Sequence, residues 1–272
     1  MAQLDARLPK GMRDFLPQEV IRREYVIGVI TEVFQTFGFE PIYTPTLELL
    51  ETLLGKGGEE ADKLIFHAQH PGGKEALALR YDLTVPLARY VAMHEHDLTF
   101  PFRRYHIAPV WRGDRPQKGR YREFYQCDVD IVGVASMAAD AEIISLLITA
   151  LGRLGFADFT VHINNRKILT GIGVYAGVPA AQLGDLYRSI DKLDKIGLEG
   201  VRRELVESGI ADDAIGRMMD LLQWREGGLA ALGRVREPLR GIAIAQEGFT
   251  ELEQLADYLG ALNVPADKVT ID

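Results

Sequence analysis

Tyr105 to Gly133 reads YHIAPVWRGDRPQKGRYREFYQCDVDIVG, and the rest of the chain is best understood from this stretch outward. Two arms, His106 to Arg112 and Tyr121 to Val132, are rich in aromatic and β-branched residues. Between them, Gly113 to Gly119 carries two glycines and a proline, so the pattern predicts an antiparallel hairpin with a long tip. Side chains alternate across a strand. On the second arm Tyr125, Cys127, Val129 and Ile131 therefore share one face, and Phe124, Gln126, Asp128 and Asp130 share the other. The first face reads as core, with Cys127 as buried filler. The second sets an amide and two carboxylates in a row beside an aromatic ring. Such a row is poor core and suits a small amine-bearing ligand under a stacked base.

Charge singles out the same stretch. Between Arg112 and Arg122 five cations (Arg112, Arg115, Lys118, Arg120, Arg122) face one anion, Asp114, a local balance of +4 in a chain whose formal net charge is −8. Guanidinium forks donate paired hydrogen bonds to phosphate oxygens, so the basic tip suits a nucleoside triphosphate or an RNA end. A solvated hairpin tip explains the charges alone equally well. Neither GxGxxG nor GxxxxGK[ST] occurs, which argues against the parallel nucleotide-binding folds.

The run WRGDRPQKGRYREFYQCDVDIVG resembles motif 2 of the class II aminoacyl-tRNA synthetases, and RPQKGRYREF resembles the histidyl-tRNA synthetases in particular. The resemblance implies an α+β fold, the class II antiparallel sheet flanked by helices, with a small helical insertion. It covers essentially all 272 residues.

Composition fits one sizeable core and a second small one, since 47% of residues are hydrophobic and 26% charged. No apolar run approaches the roughly 20 residues that span a bilayer, and the N-terminus shows no secretory h-region. With Cys127 the single cysteine, an intramolecular disulfide is excluded and a cytoplasmic location is expected. His94 and His96 form an HxH pair without further ligand spacing, so no metal site is expected. His106 reads as a satisfied structural residue.

Upstream, PKGMRDFLP resembles the N-terminal signature of the same synthetases, and Pro17 suits the first turn of a helix. Val26, Ile30, Val33 and Phe37 give that helix an apolar stripe, and Gly38 can close it in a left-handed conformation. A strand Phe39 to Thr44 follows, stopped by Pro45. Helix, strand and proline in GFEPIYTPTLE resemble motif 1, which implies a homodimer interface. The segments Leu64 to Ala68 and Ala76 to Tyr81 flank HPGGK and predict a second hairpin, after a polar loop, GKGGEEADK. In RYDLTVPLARYVA, Thr84 is a plausible N-cap and Pro86 falls in the first turn, so capping alone accounts for Asp82 and Thr84.

Downstream, Ser136 opens a periodic helix ending at Gly155, and Phe159 to Ile163 is a strand. From about Leu169 to Arg236 small helices are separated by glycine breaks, and IDKLDKIG resembles a synthetase insertion that lies near the tRNA acceptor stem. A helix Gly248 to Leu262 and a strand Lys268 to Asp272 return to the main pattern. The expected organisation is a catalytic core at 1–168, a helical insertion at 169–236 and a return to the core at 237–272. The family's later histidine motif, motif 3 and anticodon-binding domain are not found, so the chain is expected to correspond to the front part of a longer enzyme.

The resemblance also implies residue roles. Arg112 clamps the α-phosphate of ATP and is the catalytic candidate; Phe124 stacks on adenine, Asp114 contacts its amino group, and Arg120 approaches the triphosphate or the tRNA end. Asp82, Thr84, Gln126 and Asp130 hold histidine, with aspartate standing at 82, 114 and 130 where glutamate is common in the family. The implied reaction is attack of the histidine carboxylate on ATP, which arrives with Mg2+, followed by transfer to tRNA(His). The alternative is the non-catalytic regulatory subunit of ATP phosphoribosyltransferase, which resembles the same core without the anticodon-binding domain.

Overall fold

A computed structural model of the chain describes residues 6–54, 62–222 and 233–271. The polar loop expected at GKGGEEADK falls mostly outside them. The described residues fall into two compact units, one within 1–135 and 149–155 and the other within 136–148 and 156–272.

The first unit is built on the hairpin. Strands β5 (Phe102–Trp111) and β6 (Glu123–Val132) pair antiparallel over ten residues each, with Ala108 opposite Gln126, His106 opposite Asp128 and Arg104 opposite Asp130. A short strand, β1 (Glu40–Pro41), joins β5 in parallel, so the sheet order is β1-β5-β6. Only two residues of the expected strand Phe39 to Thr44 pair as a ladder, although Ile42 also donates to the Tyr105 carbonyl at 3.0 Å. Pro41 and Pro45 lack the N–H that a longer ladder needs.

Helix α1 (Pro17–Thr36) begins at the expected proline, and Glu19 Oε2 accepts from the Leu16 amide at 3.0 Å. Gly38 follows it with φ of +77°, the left-handed closure expected there. Of the predicted stripe only Val33 is fully buried, joined by Phe34, while Val20, Ile21, Tyr25 and Val26 are exposed. A second sheet, in the order β2 (Leu47–Leu49), β4 (Leu77–Leu79), β3 (Phe66–Ala68), contains the predicted second hairpin and adds a strand that the sequence pattern did not mark. Helix α2 (Leu50–Leu53) and helix α3 (Thr84–His94) complete this part of the unit. Arg89 of α3 makes a bidentate pair with the buried Glu48 at 2.7 and 2.8 Å.

Helix α4 (Met137–Arg153) is the helix expected from Ser136, whose Oγ accepts from the Ala138 amide; its residues divide between the two units. In the second unit, β7 (Val161–Ile163) pairs in parallel with β8 (Val269–Ile271). Around them lie α5 (Arg166–Ala176), α6 (Leu183–Ile190), α7 (Leu193–Glu207), α8 (Asp212–Leu222) and α9 (Ala243–Ala261). The glycine breaks read from sequence are real: Gly177 ends α5 at φ +80°, and Gly197 kinks α7 at φ +68°. Helices α5 and α9 pack through glycine, since a Cβ on Gly171 would stand 2.5 Å from that of Ala245. Their shared core runs from Ile168 and Ile172 to Phe249 and Leu252.

Candidate active site

Parity sorts the hairpin as expected, but burial is the reverse of the sequence reading. Tyr125 is 45% exposed and Cys127 is exposed, so the face read as core is open at those positions. The physical reason is the limited cover on that side. Arg23 of α1 lies over the Tyr125 ring at 5.1 Å, and α1 itself leaves Tyr25 and Val26 in solvent. Cys127 is therefore not buried filler.

The face of Phe124, Gln126, Asp128 and Asp130 is instead half-buried. Across the ladder it is backed by Val110 and Ala108, which pack with Leu83 and Phe124, and then by His106 and Arg104. Arg104 is 0% exposed and His106 1%. A buried polar group without a hydrogen bond is costly, and here several lie together. Gln126 Oε1, both His106 ring nitrogens and all three Arg104 nitrogens have no hydrogen-bond partner, although Arg104 Nη2 is in ion-pair contact with Asp130 Oδ2. The expectation that His106 is satisfied is thus corrected: it is buried, but its ring nitrogens make no hydrogen bond.

Electrostatics tie the same residues together. Burial pushes the Asp128 carboxyl above the ordinary range, opposed by Arg104 and reinforced by Asp130 and Asp82. Asp82 is also raised by burial, opposed by the Val85 amide and by Arg112. His106 is lowered to about 4, first by burial and then by Arg80 and Arg104, so it is neutral near pH 7. Three cations, Arg80, Arg104 and Arg112, and three carboxylates, Asp82, Asp128 and Asp130, thus share one partly desolvated place, as expected of a binding or catalytic site.

The predicted site residues fall around this cluster. Asp82 Oδ1 accepts from the Val85 amide at 3.1 Å, so Asp82 caps α3, while Thr84 is the exposed first residue of the helix and not its N-cap. Arg112 Nε donates to the Tyr81 carbonyl at 3.0 Å, and its guanidinium lies 5.1 Å from the centre of the Phe124 ring. The Phe124 ring is half-buried, packed against Leu83, Ala108 and Val110. At the tip, Asp114 pairs with Arg120 at 3.0 Å, and Arg122 Nε holds the Asp114 carbonyl at 3.0 Å. The N-terminal segment straps this loop: the Arg122 amide donates to Gly11 O at 2.8 Å, and a Cβ on Gly11 would clash with Pro116 and Arg122. Arg104 and His106 were missed as site residues. The available signal was their parity with Ala108 and Val110, which requires the hairpin register to be known.

A family model described as histidyl-tRNA synthetase matches residues 11–272. The chain belongs to the histidyl-tRNA synthetase family. Histidine–tRNA ligase from Gloeobacter violaceus is 44% identical over 96% of this chain and 61% of the relative. The Aeropyrum pernix protein of the same name is 46% identical over 98% of this chain and 59% of the relative. The chain therefore spans about 60% of the length of these relatives. Crystal structures of histidyl-tRNA synthetase from Nostoc sp. PCC 7120 (TM-score 0.86, 34% identity) and of an ATP phosphoribosyltransferase regulatory subunit/histidyl-tRNA synthetase from Bacillus halodurans C (TM-score 0.84, 28% identity) each align with 99% of this chain; it covers 61% and 68% of those chains. Membership in a histidyl-tRNA synthetase family carries the class II fold expected from motif 2. Among the described residues no helix is long and apolar enough to cross a membrane.

Proposed function

We propose that this chain carries the amino-acid-activating site of a cytoplasmic histidine–tRNA ligase, which joins histidine to tRNA(His) through histidyl-adenylate. The observation that carries the reading is the half-buried row of Gln126, Asp128 and Asp130 over unpartnered polar atoms, beside Arg112 and Phe124. Activation is attack of the histidine carboxylate oxygen on the α-phosphorus, with pyrophosphate as leaving group. The protein therefore acts by positioning and charge stabilisation, and no protein nucleophile is needed.

In this reading Arg112 clamps the α-phosphate, with its Nε already anchored on Tyr81, and Phe124 stacks on adenine. Asp114 contacts the adenine amino group, while Arg120 meets the triphosphate or the tRNA end. Asp82, Thr84, Gln126 and Asp130 hold histidine. Mg2+ accompanies ATP, held mainly by phosphate oxygens. The exposed Tyr25, Val26 and Tyr43 beside the motif 1 segment support a homodimer interface there. Residues 169–236 are the helical insertion near the tRNA acceptor stem.

The Bacillus halodurans neighbour supports a second reading, a histidine-sensing regulatory subunit. Titration with ATP and Mg2+ separates the two. The ligase reading predicts ATP binding that Arg112→Ala weakens by about 30-fold, the loss of one charge-assisted clamp of about 2 kcal/mol. Histidine binding without ATP binding would favour the regulatory subunit, and an unchanged ATP affinity in Arg112→Ala would remove Arg112 from the site.

A further inference from the structure

We propose that Arg104 is a positioning residue for the histidine end of the site, holding the Asp130 carboxylate in the orientation that a bound imidazole or ammonium group meets. This rests on the reading of Asp130 as a histidine contact. Arg104 and Asp130 are direct partners across β5 and β6, on the face that carries Gln126 and Asp128. Arg104 is fully buried, whereas the Asp130 side chain is 32% exposed. The guanidinium is closed off from solvent, whereas the carboxylate, with Oδ2 on the cation, stays partly exposed.

Two further observations point to more than packing. A guanidinium carries five N–H donors, and Arg104 satisfies none of its three nitrogens with a well-aligned hydrogen bond. Removing such a cation from water is expensive, and an apolar residue of similar volume serves the core as well or better. Its compensation comes from the carboxylates above it: Asp130 first, then Asp128 and Asp82. Without Arg104 these three carboxylates would repel one another across a desolvated row, and Asp130 would lose the contact that limits its rotamers.

The consequence is a split between the two ends of the site. A ligand that meets Asp130 with an N–H donor gains from the fixed carboxylate. ATP, assigned to Arg112 and Phe124, does not depend on it. In calorimetric titrations of this chain, Arg104→Met is expected to weaken a non-hydrolysable histidyl-adenylate analogue by about 30-fold while changing ATP affinity by less than about threefold. Arg104→Lys keeps the charge, loses the fork, and should recover part of the loss.

A cycle with Asp130→Asn separates positioning from general damage. Once Asp130 is neutral, adding Arg104→Met should weaken the analogue by less than about threefold more. The double variant removes both charges of the pair, so it also stands in if Arg104→Met alone does not fold. Equal weakening of both ligands, or unchanged analogue affinity in Arg104→Met and Arg104→Lys, overturns the proposal and leaves the proposed function standing. A folded wild-type chain that binds ATP but not the analogue overturns the histidine assignment itself, and the role of Arg104 falls with it.

Discussion

Arg80→Met is expected to lower the unfolding free energy of the first unit by about 3–5 kcal/mol, the scale of losing a buried, multiply bonded cation. Arg80 is 3% exposed. Its Nε donates to the Pro109 carbonyl at 3.0 Å, and its Nη1 donates to the carbonyls of Thr44 and Pro45 at 2.9 and 3.4 Å. The backbone adds to the stitch: the Arg80 amide donates to Thr46, and its carbonyl accepts from Trp111. One side chain thus ties the end of β4 to β5 and to the segment after β1. Methionine fills similar space but leaves three carbonyls without this donor. Urea denaturation followed by Trp111 fluorescence, in a Trp224→Phe background, reads the loss. A change below about 1 kcal/mol would show that these bonds are replaced by water.

His106 gives the second large effect, through pH. Its imidazole is lowered to about 4 in the fold, by burial first and then by Arg80 and Arg104, against 6.5 for the free side chain. The unfolded chain therefore takes up a proton that the folded chain refuses. Stability from this group is complete above about pH 6.5, and falls as pH drops toward 4. The full gap is worth about 3 kcal/mol. Asp82 and Asp128, both raised by burial, act with the opposite sign, because acidification neutralises carboxylates that the fold desolvates. The comparison with His106→Gln isolates the histidine. Between pH 7 and 4.5 the wild type should lose about 2 kcal/mol more unfolding free energy than the variant; parallel losses would mean that His106 titrates normally.

The hairpin was legible because its chemistry is local: aromatic and β-branched arms, a glycine-containing tip and strict alternation. So were the left-handed Gly38, the proline start of α1 and the second hairpin. What could not be read depends on which face another element covers. Alternation separated Cys127 from Gln126 correctly, yet polarity alone gave the wrong face as core, because α1 leaves the Tyr125 and Cys127 side open.

Arg104 is hidden for a related reason. The aromatic and β-branched pattern marks the arm only from His106, and the ladder begins at Phe102. Only the register across the long tip sets Arg104 opposite Asp130. A buried cation paired with a carboxylate on the neighbouring strand is invisible until that register is fixed. At Asp82 and Thr84 the local signal was real but misallocated. A cap was expected on Thr84, and Asp82 supplies it from two residues earlier, while its carboxyl remains within the field of Arg112.

The polar face of the hairpin is proposed to be a histidyl-adenylate site already in this chain. Calorimetric titration with a non-hydrolysable histidyl-adenylate analogue tests this, for the wild type and for Gln126→Ala, after circular dichroism shows both folded. Gln126 is half-buried on that face and its Oε1 lacks a partner, so its amide is expected to turn onto the ligand. Saturable binding by the wild type and a loss of at least about tenfold in Gln126→Ala, the value of one buried hydrogen bond, are expected. Equal affinity in the two proteins, or no binding by the folded wild type, would contradict the proposal.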